Sequence, residues 1–513
     1  MLKKIYFLMM VMAISSFASA QRFLSEIFPS SSVSADIKYG RNISIFTGTP
    51  TPTDLKMDVY EPSGMPDPMT ARPLIVFMHT GSYIPALINE SPTGSRNDSA
   101  TAELCRQFAR RGYVVANIDY RYGWNPYGGN QDIRGGSLLQ AVYRSVQDAK
   151  AAVRYFKADA AGANTYKIDS NAIILGGQGT GGYVALNYVA LHDTMQLQIP
   201  GKFISGTDQP TYDFYTGECY INASHMGDLD GHGSIPTLNI DSNSNGHTSN
   251  VRFAFNLGGA LGDSSWLTAG VAPMVSFHCP SDPFAPYGNG TVFVPVLNLP
   301  VVDVSGSGWV IPRADQLGNN SCFNPPPAYT DPYSARADMV NGGADGLFPF
   351  ITVTPEGSPW EWFDSAATVQ AGTALGYTVG HCDTIYWNAL QTNPNMSKTK
   401  ALNYIDTIMN YLNPRLVRCL GLPIWPAGVQ QTALSDNDID LYPNPATDIV
   451  YVKSSGPQIN TIVVSDLTGR MVQCITGRKT QLAYVNMANA SPGIYFMSIS
   501  TAEGMLTKKF VLQ

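Results

Sequence analysis

Between about Lys56 and Leu412 the apolar residues fall into two alternating patterns. Short unbroken runs, Leu74 to Met78, Tyr113 to Ile118 and Ala172 to Leu175, have almost no polar face, as strands covered on both sides require. Between them apolar residues recur every third or fourth place. Leu104 and Phe108 predict a helix stopped by Gly112. Leu139, Val142, Val146, Ala149, Val153 and Phe156 predict a long one. Tyr183 to Leu191 is apolar almost all round, which predicts a deeply buried helix. Val251 to Leu257 and Pro273 to His278 continue as strands, and Leu402, Ile405, Met409 and Leu412 mark a final helix. This alternation predicts an α/β fold: a doubly wound, mostly parallel sheet with helices on both faces.

Two stretches break the pattern. Residues 192–250 are rich in Asp, Asn, Gly and His, and residues 283–380 in Pro and aromatics; both read as lids or binding loops. Periodicity stops again at 421–437. Beyond it, short alternating strands (Ile449 to Lys453, Thr461 to Asp466, Arg470 to Ile475, Ile494 to Ser500, Leu506 to Leu512) predict a small all-β sandwich over 438–513. At the other end, Lys3 and Lys4, the apolar run Ile5 to Ile14 and Ala18-Ser19-Ala20 predict a removable signal peptide over 1–20. The body is then 21–420 and the linker 421–437. No later stretch reaches ~18 uncharged apolar residues, so no transmembrane helix is expected.

Composition narrows the function classes. Charged residues are 14% of the 513-residue chain, against roughly 25% in an ordinary domain. With a net charge of −7 and no basic stripe, nucleic acid is excluded as a partner. Seven cysteines without C-x-x-C spacing give no zinc pattern, and in an exported protein the odd count leaves at least one unpaired within the chain. No cofactor motif is present.

The chemistry concentrates in Gly177-Gln178-Gly179-Thr180-Gly181. It follows a buried strand and opens an apolar helix, the context of the nucleophile elbow G-x-S-x-G. Gly179 stands where the serine belongs. Phe77-Met78-His79-Thr80-Gly81-Ser82-Tyr83 follows an earlier strand like an HGGG-type oxyanion segment, and Asp119-Tyr120-Arg121 ends the next strand. Phe277-His278-Cys279-Pro280-Ser281-Asp282-Pro283 ends a later one, and Gly380-His381 precedes the final helix. In this order the pieces resemble the α/β-hydrolase fold in its esterase and lipase branch. The resemblance implies Asp282 and His381 as acid and base, Gly179 as a vacant nucleophile position, and Thr80, Gly81 and Thr180 as the oxyanion hole. Glycine has no oxygen with which to form an acyl-enzyme. The expectation is therefore a protein impaired in serine hydrolysis. Two alternatives stand beside it: a hydrolase that uses another nucleophile or His-activated water, and a surface binding or adhesion protein for a small-molecule, ester or peptide ligand.

The tail carries Leu441-Tyr442-Pro443-Asn444-Pro445-Ala446, Asp466-Leu467-Thr468-Gly469-Arg470, Ser491-Pro492-Gly493-Ile494-Tyr495 and Lys508-Lys509-Phe510-Val511-Leu512. It resembles the type A C-terminal sorting domain of the type IX secretion system of Bacteroidetes, which implies that machinery as a partner and a secreted or cell-surface location.

Other candidates read more plainly. Asp241 to Gly246 matches half a calcium loop, but Arg252 stands where the bidentate Glu belongs; Asp228 and Asp230 lie nearby. His225, His232 and His247 lack a tight metal spacing, and no metal is expected. His79 reads as ordering the oxyanion loop, Asp119 and Arg121 as a structural pair, and Trp360 and Trp362 as lining a lid or packing.

Overall fold

Strand β3 (Arg72–Met78) is buried along its whole length, and its neighbours explain why. In the computed structural model it lies between β4 (Val114–Ile118) and β5 (Ile168–Gln178), parallel to both. The structure describes residues 21–199, 201–243, 245–295, 297–324, 329, 331–423, 438–466, 471–501 and 505–513. The signal-peptide reading (1–20), nearly all of the linker, and Leu467 to Arg470 of the tail motif lie outside the described residues.

The main sheet has eight strands. With β1 (Ser30–Ser44), β2 (Thr51–Ser63), β6 (Phe253–Leu257), β8 (Met274–His278) and β11 (Leu347–Pro349), the order is β1-β2-β4-β3-β5-β6-β8-β11. From β4 to β11 every neighbour is parallel, and β2 is antiparallel to β4. This is the α/β-hydrolase architecture. Helices α1 (Ser99–Arg111), α2 (Gln131–Ala161) and α3 (Thr180–Ala190) make the crossovers. Gly112 ends α1 at φ 106°, a left-handed conformation suited to glycine.

Both predicted loop regions turn out to be organised. The described residues of 192–250 form short helical turns and two isolated antiparallel bridges, and the polar face of α2 holds them. Gln147 Nε2 donates to Met226 O (2.9 Å) and Asp228 O (2.8 Å), Tyr143 Oη to Gly227 O (2.8 Å), and Arg154 to Ser242 O and Asp230 Oδ1 (2.8 Å each). Residues 283–380 hold more regular structure than was expected. A three-stranded antiparallel sheet joins β7 (Ala260–Leu261) to β10 (Leu299–Gly306) and β9 (Asn289–Val294). Then come α4 (Ser307–Gln316), the edge strand β11 and α5 (Ser365–Ala374), followed by α6 (Val379–Gln391) and α7 (Lys398–Leu420).

Asp119 and Arg121 do not pair with each other. Arg121 Nε meets Asp148 Oδ1 at 2.9 Å, both side chains fully buried, while Asp119 accepts from Arg96 Nε at 2.7 Å. Both lie past the end of β4, and each is held by a partner from another part of the chain, Asp119 by Arg96 and Arg121 by Asp148 on α2.

Residues 30–62 and 67–422 cluster as one compact unit; the described residues of 423–513 belong to a second, with parts of 1–29 and 63–66. The second unit holds β12 (Ile439–Tyr442), β13 (Ile449–Ser454) and β16 (Leu482–Asn486) in one antiparallel sheet. The strands β15 (Met471–Thr480), β14 (Ile459–Asp466), β17 (Gly493–Thr501) and β18 (Met505–Leu512) form another. Val450, Val452, Ile462, Val485, Met497, Ile499 and Phe510 form its core, as the alternation predicts. Among the described residues no helix is long and apolar enough to cross a membrane.

One disulfide, Cys322–Cys419, ties the 283–380 region to α7 across 97 residues of chain; Cys105, Cys219, Cys279, Cys382 and Cys474 are free. Closing a loop of that length restricts the unfolded chain, an effect worth about 2–4 kcal/mol. Cys322→Ser/Cys419→Ser should lower the thermal midpoint by several degrees in calorimetry, and reductant should then have no further effect on it.

Candidate functional site

The sharp turn after β5 follows from close packing. A Cβ built on Gly177 would lie 2.3 Å from the Gly181 backbone, and one on Gly181 would lie 2.2 Å from Met78 O. Only glycines let the first turn of α3 sit this near the strand ends. Gly179, between Gln178 and Thr180, is forced to φ 52°, ψ −120°. Its N–H donates to Leu257 O at 2.8 Å. This is an elbow in full, with a hydrogen atom at its apex.

The space beside that hydrogen is taken. A Cβ on Gly179 would lie 2.1 Å from Thr80 Oγ1 and 2.9 Å from Thr80 Cβ. Thr80 therefore stands where the serine side chain would be. The rest of its segment is braced from behind. His79 is fully buried, stacks on Tyr120 (4.8 Å between ring centroids) and has Nδ1 2.5 Å from Thr80 O; Tyr120 Oη donates to His79 O at 2.8 Å. Gly81, at φ 134°, abuts Gly94 so closely that a Cβ would lie 2.8 Å from Gly94 Cα. The Thr180 hydroxyl is engaged with Tyr120 Oη at 2.9 Å. Its backbone N–H belongs to the first turn of α3, where donors have no intrahelical acceptor and the helix dipole favours negative charge.

Asp282 sits just past the end of β8, with its side chain 2% exposed. Its carboxylate accepts from the N–H groups of Phe284 (2.7 Å) and Ala285 (3.2 Å), and His278 Nε2 is 3.3 Å away. The expected Asp282–His381 pair does not form: no hydrogen bond or ion pair joins them among the described residues. His381 lies in the first turn of α6, its side chain 40% exposed and Nε2 3.4 Å from Glu90 Oε1. The reason is topological. Helices α5 and α6 intervene between the last strand and the final helix, so Gly380-His381 begins a helix of that added pair. The loop that leaves β11 instead brings Gly357 to the acid. A Cβ there would lie 3.4 Å from Asp282 Oδ1 and 2.7 Å from the Phe284 ring.

That loop carries a group the sequence reading missed. Trp360, fully buried, donates from Nε1 to Gln178 Oε1 at 3.2 Å, and Gln178 Nε2 donates to Glu361 Oε1 and Thr101 Oγ1 at 3.1 Å each. Trp360 is therefore packing rather than lid. Burial, reinforced by the Asp98 carboxylate and opposed by a Thr93 hydrogen bond, pushes the Glu361 carboxyl up to about 8. The one signal in the sequence was an acid set between two tryptophans.

The metal candidates do not converge. His225 pairs with Asp213 (2.7 Å), and His232 lies 3.6 Å from both Asp228 and Asp241. Among the described residues no group of three His, Cys, Asp or Glu side chains is arranged for a metal ion.

The Glu361 shift has a definite sign. The unfolded chain loses this proton near 4.5 and the folded chain near 8. Between those values the native state holds the extra proton, so its contribution to stability is full at low pH and is lost as pH rises through about 8. Thermal midpoints should fall from pH 5 to pH 9, and Glu361→Gln should flatten that fall. An unchanged profile in the variant would refute the assignment.

Comparison with known proteins agrees with this architecture. A family described as BD-FAE matches residues 57–213, and the secretion system C-terminal sorting domain matches residues 440–513. No curated protein matches the chain. Among solved structures, the native esterase Est2 of Thermogutta terrifontis is 16% identical over 67% of this chain and 91% of that one, with a TM-score of 0.31. Its propionate-bound form is 17% identical over 67% and 93%, at 0.30. Thermogutta terrifontis esterase 2 phosphorylated by paraoxon is 20% identical over 51% and 74%, at 0.29. The fold assignment rests on strand order and elbow, not on these likenesses. The chain thus joins an esterase-type α/β-hydrolase domain of the BD-FAE kind to a type IX sorting domain, which marks it for secretion or the outer cell surface.

Proposed function

We propose that this secreted hydrolase-fold protein does not perform ordinary serine hydrolysis, and that its body binds a small-molecule, ester or peptide ligand at the vacated elbow. One observation carries the reading: Thr80 Oγ1 lies 2.1 Å from where a residue-179 Cβ would be, so the nucleophile is missing and its room is filled. Two further facts support it. Glycine also stands opposite Asp282 on the loop after the last strand, and His381 faces Glu90. An imidazole that takes no proton from a nucleophile leaves only the oxyanion donors and binding, which give weak turnover at best.

A second reading has one point in its favour. Thr80 itself brings a hydroxyl into the elbow, so a threonine nucleophile is the specific rival. A fluorophosphonate probe separates the two. The purified protein should stay unlabelled and should leave p-nitrophenyl acetate at the buffer rate. A probe adduct mapped to Thr80, with turnover abolished by Thr80→Val, would establish the rival.

Restoring the serine alone should fail. Gly179→Ser must push against Thr80, and overpacking of this kind costs about 1–3 kcal/mol. In a Thr80→Gly background that cost should largely vanish, a coupling of about 1 kcal/mol or more in a double-mutant cycle read by denaturant unfolding. Additive effects would show that the two side chains do not compete for one space.

A further inference from the structure

The elbow occupies the carboxyl ends of the parallel strands; a second cleft opens at their amino ends. It has a volume of about 680 Å³ and is lined by Lys150, Tyr188, His192, Asp228, Asp230 and Arg252, among others. Arg252 immediately precedes β6, so the length of that strand, ~17 Å at ~3.3 Å per residue, separates this cleft from the elbow end.

Both signs of charge line the cleft, and the hydrogen bonds decide which sign is available to a ligand. The carboxylates are engaged. Asp230 Oδ1 accepts from Arg154 (2.8 Å) and Ser249 Oγ (2.5 Å) and lies 3.7 Å from Lys150 Nζ. Asp228 Oδ1 accepts from the backbone N–H groups of Asp230 (2.9 Å) and His232 (3.0 Å), and its other oxygen lies 3.6 Å from the His232 imidazole. Asp193, on the same wall, caps a short helix by accepting from Met195 N–H at 2.9 Å.

Two of the three basic groups are not so engaged. The Arg252 guanidinium and the His192 imidazole make no hydrogen bond or ion pair among the described residues. The Lys150 ammonium is shared between Ser249 Oγ at 3.2 Å and Asp230 Oδ1 at 3.7 Å, and lies 4.9 Å from the Tyr188 ring centroid. Burial holds Lys150 below the usual lysine range, and burial with the charge of Lys150 does the same for His192. An anion between them relieves that repulsion.

We propose that this cleft is a binding site for an oxyanion-bearing small molecule, a carboxylate or a phosphate, with Arg252 and His192 as its recognition side chains and Lys150 as its floor. It is independent of the elbow. The opposite occupant, a divalent cation, finds no converging set of three free carboxylate or imidazole ligands here.

The test is a titration of the full chain by calorimetry and thermal shift, at constant ionic strength set with sodium chloride. Inorganic phosphate and citrate are the two probes, and their relative affinities distinguish the phosphate from the carboxylate source. Saturable binding of at least one is expected. Arg252→Gln and His192→Gln, both exposed and without partners to lose, should each weaken it by about tenfold, as loss of one charge-assisted hydrogen bond predicts. Thr80→Val, at the elbow, should leave it unchanged. Absence of saturable binding, equal binding by the Arg252 variant, or loss of binding through Thr80→Val alone would each overturn the proposal, as would stabilisation by calcium but by neither anion.

Discussion

The body of this protein is organised around the contact between the end of β5 and the first turn of α3. Gly177 and Gly181 bring backbone against backbone there, and Met78 O closes the same space from β3. The elbow at the carboxyl edge of the sheet inherits its position from this approach. The helix can start only if the chain reverses within one residue, and that residue must take a positive φ. The elbow is thus a packing solution before it is a catalytic one. This explains how it persists with no reactive atom at its apex.

Around that fixed point the other elements of a hydrolase site are separately anchored. The segment after β3 is held from behind by the His79–Tyr120 stack, and Asp282 by backbone N–H groups of its own turn. The loop after β11 is tied to the elbow through Gln178 and to α7 through Lys400, whose ammonium meets Glu356 at 2.6 Å. Because each piece has its own supports, the framework stands with glycine at the apex of the elbow. On the far side, α2 does similar work for a segment with little regular structure, offering buried amide and guanidinium donors to its carbonyls.

Much of this was legible in the residue pattern. Unbroken apolar runs marked β3, β4 and β5, three-four spacing marked α2 and α7, and strict alternation marked the C-terminal sheets. The glycine-rich turn declared the elbow. What stayed hidden depended on contacts distant in sequence. Strand β11 has three residues, too few for a period, yet it completes the main sheet and sets where the following loop falls. Without it, the histidine nearest the final helix looked like the partner of Asp282. Composition alone could not show that donors on α2 organise residues 192–250, nor that Thr80 reaches across to residue 179. Glu361 was invisible because its character comes from burial beside Asp98, which lies far from it along the chain.

The fit between Thr80 and Gly179 also sets the direction in which such a site can drift. Once the elbow residue has lost its side chain, a bulkier neighbour on the facing loop meets no resistance. Once that neighbour has grown, a return of the original residue is opposed by a collision that did not exist before. The filled space thus resists any side chain at residue 179 for as long as residue 80 keeps its own. A serine is then admitted at residue 179 only after the side chain at residue 80 has shrunk, an order of events that the fold itself imposes.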